Sequence, residues 1–371
     1  NPNFAILKTN DKSNNKLTLN NLLLIDTHIS FNRKRININW QTQEAFIGFT
    51  DKSIIINAKI FSEKLIVNNR DYIYKKQVIL NTALDVIKDS ILIQKGSIVH
   101  IENIKIKLSG EIFQGKILDL DFACEEQELI NIIKNTPEYL KSIYHSFQAN
   151  GIVNCNGNIK GLISKESNPY LEMVCDIENG SLNLKSRPFI LKNVSLNAKI
   201  NNGEQSGFHN TKIEISDFDA KTENGYLKGD FSIQNLNKYY LTANLNSSWD
   251  LAEINHYFED SPFYNLQGKL NANTQYSGYF SFDNKFTNYF LAANHTSKTN
   301  FKEVSFTYKN FPIKFNFNTA ECTFKNNRIE VKNSAFTVAD SDLDFAGDIT
   351  NLISYILKKK NTIDITGKLE S

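Results

Sequence analysis

A mainly β, antiparallel repeat protein with a few short helices is what this sequence predicts, on three observations. Short apolar runs alternate with polar residues at a period of two along most of the chain. Turns rich in Asn, Gly, Asp and Ser interrupt those runs. A set of sequence anchors then returns at separations near 120 residues.

Alternation is clearest over 54–60, 98–108, 182–200, 212–220, 226–233 and 304–317. In NFPIKFNFN (310–318), Phe311, Ile313, Phe315 and Phe317 share one strand face, while Pro312, Lys314, Asn316 and Asn318 take the other. Helical spacing stands out in two places. Leu129, Ile132 and Ile133, then Leu140, Ile143, Tyr144 and Phe147, form stripes on either side of Pro137. Thr136 suits an N-cap there, and Pro137 the first turn of a second helix. DLAEINHYF (250–258) is the other, with Asp250 as cap and Glu253 at the capping-box position. ISYIL at 353–357 adds a short third helix.

The repeats set the organisation. GIVNCNGNIKG (151–161) matches GKLNANTQYSG (268–278) at an offset of 117. NPYLEMV near 168 answers TNYFLAA near 287, and SRPFILKNVSLNAKI answers NFPIKFNFNTAECTF, with Pro188 and Pro312 offset by 124. A second block ends three times in Gly, an acid and an apolar residue. Its glycines, Gly110, Gly229 and Gly347, are separated by 119 and 118 residues. Upstream lie Asn103, Asp217 and Asn333, and the alternation breaks phase between, as a β-bulge or tight turn requires. Three units follow: 1–150, ending in a helical hairpin, 151–267, and a truncated 268–371. ITGKLES at the end aligns with LTANLNS at 241–247, just before the third unit's expected helix.

Composition narrows function. The 42 Lys and Arg against 40 Asp and Glu leave a net charge of +2, which gives no electrostatic case for nucleic acid. Abundant Asn and Lys read as codon bias filling solvent-facing strand positions. Cys124, Cys155, Cys175 and Cys322 form no Cys-x-x-Cys pair and have no His at ligand spacing, so free buried thiols or at most one bridge are expected. No apolar run approaches the roughly 18 residues of a membrane helix. The chain starts with Asn and reads as an excised piece whose anchor or export signal preceded it. The six His are scattered. DLDF (119–122) and DSDLDF (340–345) place acids on the outer side of alternating strands, and the second lacks an EF-hand's Gly and distal Glu. Without a phosphate loop, nucleophile elbow or HExxH, no enzyme, metal or cofactor is expected.

What remains is a large repetitive apolar face with two uses. Closed β-sandwiches would bury it as core. Units joined edge to edge into one curved sheet would leave it open to acyl chains. Open aromatic faces invite aggregation, so the residues alone favour sandwiches.

The order and period of YLKGDFSI, then LTANLNSSWDLAEI, then LQGKLNANTQYSG resemble the AsmA-like family of bacterial envelope proteins. The resemblance is strongest over 150–371; before that only IENIKIKLSGEI and the following helix share it. It implies an elongated antiparallel repeat β-groove, a curved open sheet akin to bridge-like lipid-transfer proteins, preceded by an inner-membrane helix this chain lacks. It also implies a periplasmic location and a role in phospholipid supply to, and assembly of, the Gram-negative outer membrane. Acyl lipid is then the expected partner. On alternating faces the candidate lining residues are Ile104, Ile106, Ile213, Ile215, Phe311, Ile313, Phe315 and Phe317. About seven strands per unit would span on the order of 100 Å, with the helices padding a sheet edge. A structural scaffold that carries no lipid is the first rival. A carbohydrate-binding or adhesin-like β protein, which needs exposed aromatics beside paired carboxylates, is the second.

Overall fold

A computed structural model describes residues 20–33, 36–50, 52–67, 70–136, 147–164, 168–185, 189–203, 207–256, 261–281, 286–309, 311–357 and 359–371. The first seven strands are β1 (Asn21–Arg33), β2 (Ile36–Phe49), β3 (Ser53–Val67), β4 (Arg70–Ile87), β5 (Ser90–Ile101), β6 (Ile104–Phe113) and β7 (Ile117–Glu128). Helix α1 (Leu129–Asn135) leads to β8 (Phe147–Leu162), β9 (Tyr170–Leu184), β10 (Phe189–Asn201), β11 (Lys212–Lys221), β12 (Tyr226–Gln234) and β13 (Tyr240–Asp250). Helix α2 (Leu251–His256), β14 (Phe263–Tyr279) and helix α3 (Phe286–Ala292) come next. Then follow β15 (Asn294–Tyr308), β16 (Phe311–Lys325), β17 (Arg328–Val338), β18 (Ser341–Thr350), helix α4 (Leu352–Ile356) and β19 (Asp364–Glu370).

Each strand pairs antiparallel with the one before and the one after, so all 19 form a single uninterrupted meander. The sandwich expectation fails here: the apolar face is covered by no second sheet among the described residues. At about 4.8 Å per strand the sheet extends on the order of 85 Å. The unit junctions at 150/151 and 267/268 fall inside β8 and β14.

Residues directly opposite in a ladder share a face, so the register traces that face across the sheet. Leu24, Ala45, Ala58, Leu80, Val99 and Ile106 form one row over β1–β6. Cys124, Cys155, Cys175, Ala198, Ile215, Phe231, Ala243, Tyr276 and His295 form another over β7–β15. Phe301, Ala320, Ser334, Phe345 and Leu369 carry it to β19. The four clusters of buried apolar residues draw their members from this face. It is concave. Phe189 and Trp249 lie three strands apart, about 14 Å on a flat sheet, yet their ring centroids are 6.2 Å apart.

Bulges bend the strands. Asp26, Asn179, Asn193, Asp217, Asn265 and Glu303 have positive φ inside strands, where one extra residue kinks the ladder. Asn and Asp tolerate this left-handed backbone better than most residues, so part of the Asn content is conformational. The phase break between Leu191 and Val194 is one such bulge, at Asn193. Gly110, Gly229 and Gly347 sit six strands apart in β6, β12 and β18, each beside a register shift in the preceding strand. A Cβ on Gly229 would lie 2.0 Å from the Asn244 carbonyl oxygen. Each repeat therefore adds six strands, not seven. In the first repeat the aligned Asn103 belongs to the β5–β6 turn, and the bulge lies earlier, around Gly96.

Several alternating runs prove to be hairpins. Residues 98–108 pass from β5 to β6 through Glu102 and Asn103, with Ile101 opposite Ile104. The runs 182–200 and 304–317 likewise span two strands each. A tight turn returns the chain with its apolar residues on the same face, so the alternation resumes beyond it one residue out of phase, as from Ile101 to Ile104 and from Tyr308 to Phe311.

Helices α1, α2 and α4 fall where helical spacing places them. Asp250 caps α2, its Oδ1 accepting from the Ala252 and Glu253 amides at 2.8 and 3.3 Å. The Glu253 carboxylate accepts from Thr222 Oγ1 at 3.1 Å and from the Glu223 and Asn224 amides, tying α2 to the β11–β12 turn. TNYFLAA, aligned with a strand, instead contributes most of α3. The second helix after Pro137 lies outside the described residues, except Phe147, which opens β8. The helices do not pad the outer edges β1 and β19. They connect strand ends and lie on the concave face: Leu129 and Ile132 of α1 pack on the Val153–Cys175–Ala198 cluster, and Leu352 of α4 on the Ile329–Val331 cluster.

Candidate functional site: an apolar groove

Helices α1 and α2 follow odd-numbered strands, whereas α3 and α4 follow even-numbered ones, so the two pairs rise from opposite rims. Over β14–β19 the concave face becomes a groove of about 720 Å3. Leu251 enters it from one rim, and Leu352 and Ile356 from the other. Its wall is Phe301, Val304, Phe306, Phe315, Phe317, Phe336 and Phe345, with Ile329, Ile349, Ile365 and Leu369 at one side. Phe306 stacks on Phe315 at 5.1 Å and meets Phe263 edge-on at 5.2 Å. Among the described residues lining it, Ser334 and Cys322 alone carry a side-chain oxygen or sulfur. Burial pushes the Cys322 thiol up to about 11, so that thiol is neutral. Ile365 and Leu369 stay 65% and 59% exposed, so the groove is open at β19.

Tyr308 ends β15 at one rim, and Tyr355 belongs to α4 at the other. Their hydroxyls hydrogen-bond to each other. Strand β15, 15 residues long, separates these rims, so they come this close only by curling round the apolar face. Asn327 and Asn351 fix the base of α4: Asn327 donates to Asn351 at 2.9 Å, and Asn351 to Asp364 at 2.6 Å. Farther along, Lys76 Nζ reaches Asn135 Oδ1 at 2.5 Å and the Lys134 carbonyl at 3.3 Å, so α1 is tethered over the face as far as β4.

All eight sequence-predicted lining residues fall on this one face. Phe315 and Phe317 line the groove itself. Ile313 alternates in phase with them, and the Phe311 ring lies 6.3 Å from that of Phe315. Ile213 and Ile215 lie opposite Ile233 and Phe231, and Ile104 and Ile106 opposite Ile101 and Val99. None of these six lines the cavity of β14–β19. The contribution of α2 and α4 to the lining was not foreseen. Leu251, Leu352 and Ile356 could have been found as the apolar stripes of short helices directly after strands.

The convex face carries the ion pairs, interspersed with exposed apolar residues such as Ile55, Val174 and Ile190. Lys107 meets Glu125 at 2.6 Å, Lys199 meets Glu172 at 2.6 Å, and Arg328 meets Asp348 at 2.6 Å. Each partner cation holds its carboxylate below the usual range. Asp119 of DLDF pairs with Lys160 at 3.2 Å on this side. Among the described residues no three His, Cys, Asp or Glu side chains are grouped to hold a metal ion, and no helix is long and apolar enough to cross a membrane.

Protein-family models, curated proteins and solved structures were all compared with the chain, and none matches it.

Thr42, Ser62 and His295 are buried polar side chains on the concave face without a hydrogen-bond partner for Oγ1, Oγ and Nε2 respectively. Phe290 of α3 stacks on the His295 ring at 4.7 Å. Burial lowers the His295 pKa, so the imidazole is neutral at pH 7.

Proposed function

We propose that this chain carries or shields lipid acyl chains in its apolar groove, as a segment of an AsmA-like envelope protein. In that role it supports phospholipid transport to, and assembly of, the outer membrane. One observation carries the reading: rows made mostly of Ile, Val, Leu, Phe, Ala and Cys recur on one concave face from β1 to β19, with the ion pairs on the convex face.

Burying a methylene is worth about 0.8 kcal/mol, so two acyl chains of roughly 30 methylenes lose some 25 kcal/mol if exposed to water. A wall of similar apolar character at every row offsets most of that loss wherever the chains lie. Movement along the groove then meets no large barrier. The headgroup stays at the solvated mouth, which explains why the wall needs no dedicated polar site. A volume of about 720 Å3 over β14–β19 lies within the range of small-ligand sites. The periplasmic location and the tether to the inner membrane are part of the proposal through the AsmA-like resemblance.

The test is lipid capture. Purified protein should co-purify with phospholipid detectable by mass spectrometry. A photo-crosslinking residue at 313 or 315 should trap it, and one at 314 or 316, on the convex face, should not. Lipid-free protein with no crosslink at any of the eight lining positions would overturn the reading and favour a scaffold.

A further inference from the structure

Three of the four cysteines stand side by side. Cys124 of β7 lies opposite Cys155 of β8, which lies opposite Cys175 of β9. All are free thiols, with Cys124 and Cys175 buried and Cys155 partly exposed. Cys155 has a neighbour on each side and can bond to only one of them.

The ladder distinguishes the two neighbours. In an antiparallel pair, hydrogen-bonded and non-hydrogen-bonded positions alternate, with Cα spacings of about 5.5 and 4.5 Å. The Ile163 amide donates to the Lys116 carbonyl at 2.8 Å, which makes 116/163 a hydrogen-bonded position. The register then runs unshifted to Cys124 and Cys155, and counting along it makes theirs a hydrogen-bonded pair too. Cys155 directs both its backbone groups at β7, so its pairing with Cys175 is of the non-hydrogen-bonded kind. The β9–β10 ladder agrees. The Asn202 amide donates to the Leu171 carbonyl at 3.2 Å, and the same count turns the backbone of Cys175 toward Ala198.

We infer that Cys155 and Cys175 are the site of a cross-strand disulfide, with Cys124 left as a neighbouring thiol. A disulfide needs Cβ atoms about 3.5–4.5 Å apart, and opposed side chains come closest at the non-hydrogen-bonded position. Within the row, Cys155 accepts hydrogen bonds from Cys124 and Cys175, which holds its thiol below the usual range. The same bonds, with burial, hold the other two above it. Cys155, partly exposed between two buried thiols, is the sulfur an external disulfide reaches, and it attacks first. Its thiolate displaces one thiolate from a small disulfide and forms a mixed disulfide. The Cys175 thiolate then attacks the Cys155 sulfur and expels the second. Two protein thiols are oxidised, one small disulfide is reduced to two thiols, and the two protons go to solvent or to those products. The bridge would staple β8 to β9 beneath Leu129 and Ile132 of α1, whatever occupies the groove.

The experiment treats the reduced, folded chain with glutathione disulfide, traps remaining thiols by alkylation, and maps linked peptides by mass spectrometry. Two of four thiols should be lost, with a 155–175 link and with Cys124 and Cys322 alkylated. Cys124→Ser should keep the bridge, and Cys155→Ser should retain all three remaining thiols. Four surviving thiols in the wild-type chain, a predominant link through Cys124, or intermolecular links alone would overturn the inference.

Discussion

The Tyr308 and Tyr355 hydroxyls hydrogen-bond to one another from opposite rims of the groove, so the curl of β14–β19 ends in a direct rim-to-rim contact. Tyr355→Phe removes that bond and keeps the ring. A typical hydrogen bond contributes about 1 kcal/mol, so a loss of about that size in unfolding free energy is expected, with faster uptake of a fluorescent fatty acid. Adding Tyr308→Phe should cost less than its single-variant effect, because the two changes remove one shared interaction. Full additivity of the two losses would mean that the hydroxyls act separately.

The two faces should respond unequally to charge. Phe317 lines the groove, whereas Asn318 is exposed on the convex side. Phe317→Asp removes apolar packing and places a carboxylate in a site without a partner, for a cost of about 3 kcal/mol or more. Asn318→Asp should stay within about 0.5 kcal/mol of wild type. Urea midpoints measure both, and similar losses would refute the assignment of faces.

Glycine positions give an internal control. Gly229 has φ +144 with no room for a Cβ, while Gly115 in the β6–β7 turn has φ +63 and nothing within 4 Å of one. Gly115→Ala should cost the left-handed penalty alone, about 1–2 kcal/mol. Gly229→Ala must also push β12 and β13 apart, so a larger loss or insoluble protein is expected. Thermal unfolding of the pair decides it.

His295 makes stability depend on pH. Burial lowers its folded-state pKa, so below the unfolded value near 6.5 the unfolded chain binds the proton first. Its contribution is fully present above that value and is lost as pH falls through it toward the folded pKa. The denaturant midpoint should drop between pH 7.5 and 5.5, and His295→Phe should flatten that slope. An unchanged slope in the variant would assign the dependence to other groups.

How much of this was legible before the fold was known can be judged residue by residue. The Phe311–Phe317 alternation, the Asp250 cap and the Gly110–Gly229–Gly347 period were readable, because each depends on neighbours along the chain. TNYFLAA aligns with NPYLEMV, which runs into strand β9, yet the two take different structures. TNYFLAA forms part of a helix whose Tyr289 and Phe290 lie beside Tyr279 and Tyr276 of the preceding strand, contacts no local pattern reveals. The cysteine row was invisible for a related reason: positions 124, 155 and 175 become neighbours only through the register of three strands.

By itself, then, the sequence determined that the chain is mainly strands, which residues alternate on one side of a strand such as 311–317, the Asp250 cap, and the glycine period that marks the bulges of the second and third repeats. These follow from backbone sterics and a two-residue period. Whether the apolar sides close on one another as sandwiches or line up along one open sheet was left to tertiary structure, since both bury the same alternating residues. Unbroken antiparallel pairing from β1 to β19, bent by bulges until Tyr308 meets Tyr355, decided for the open groove.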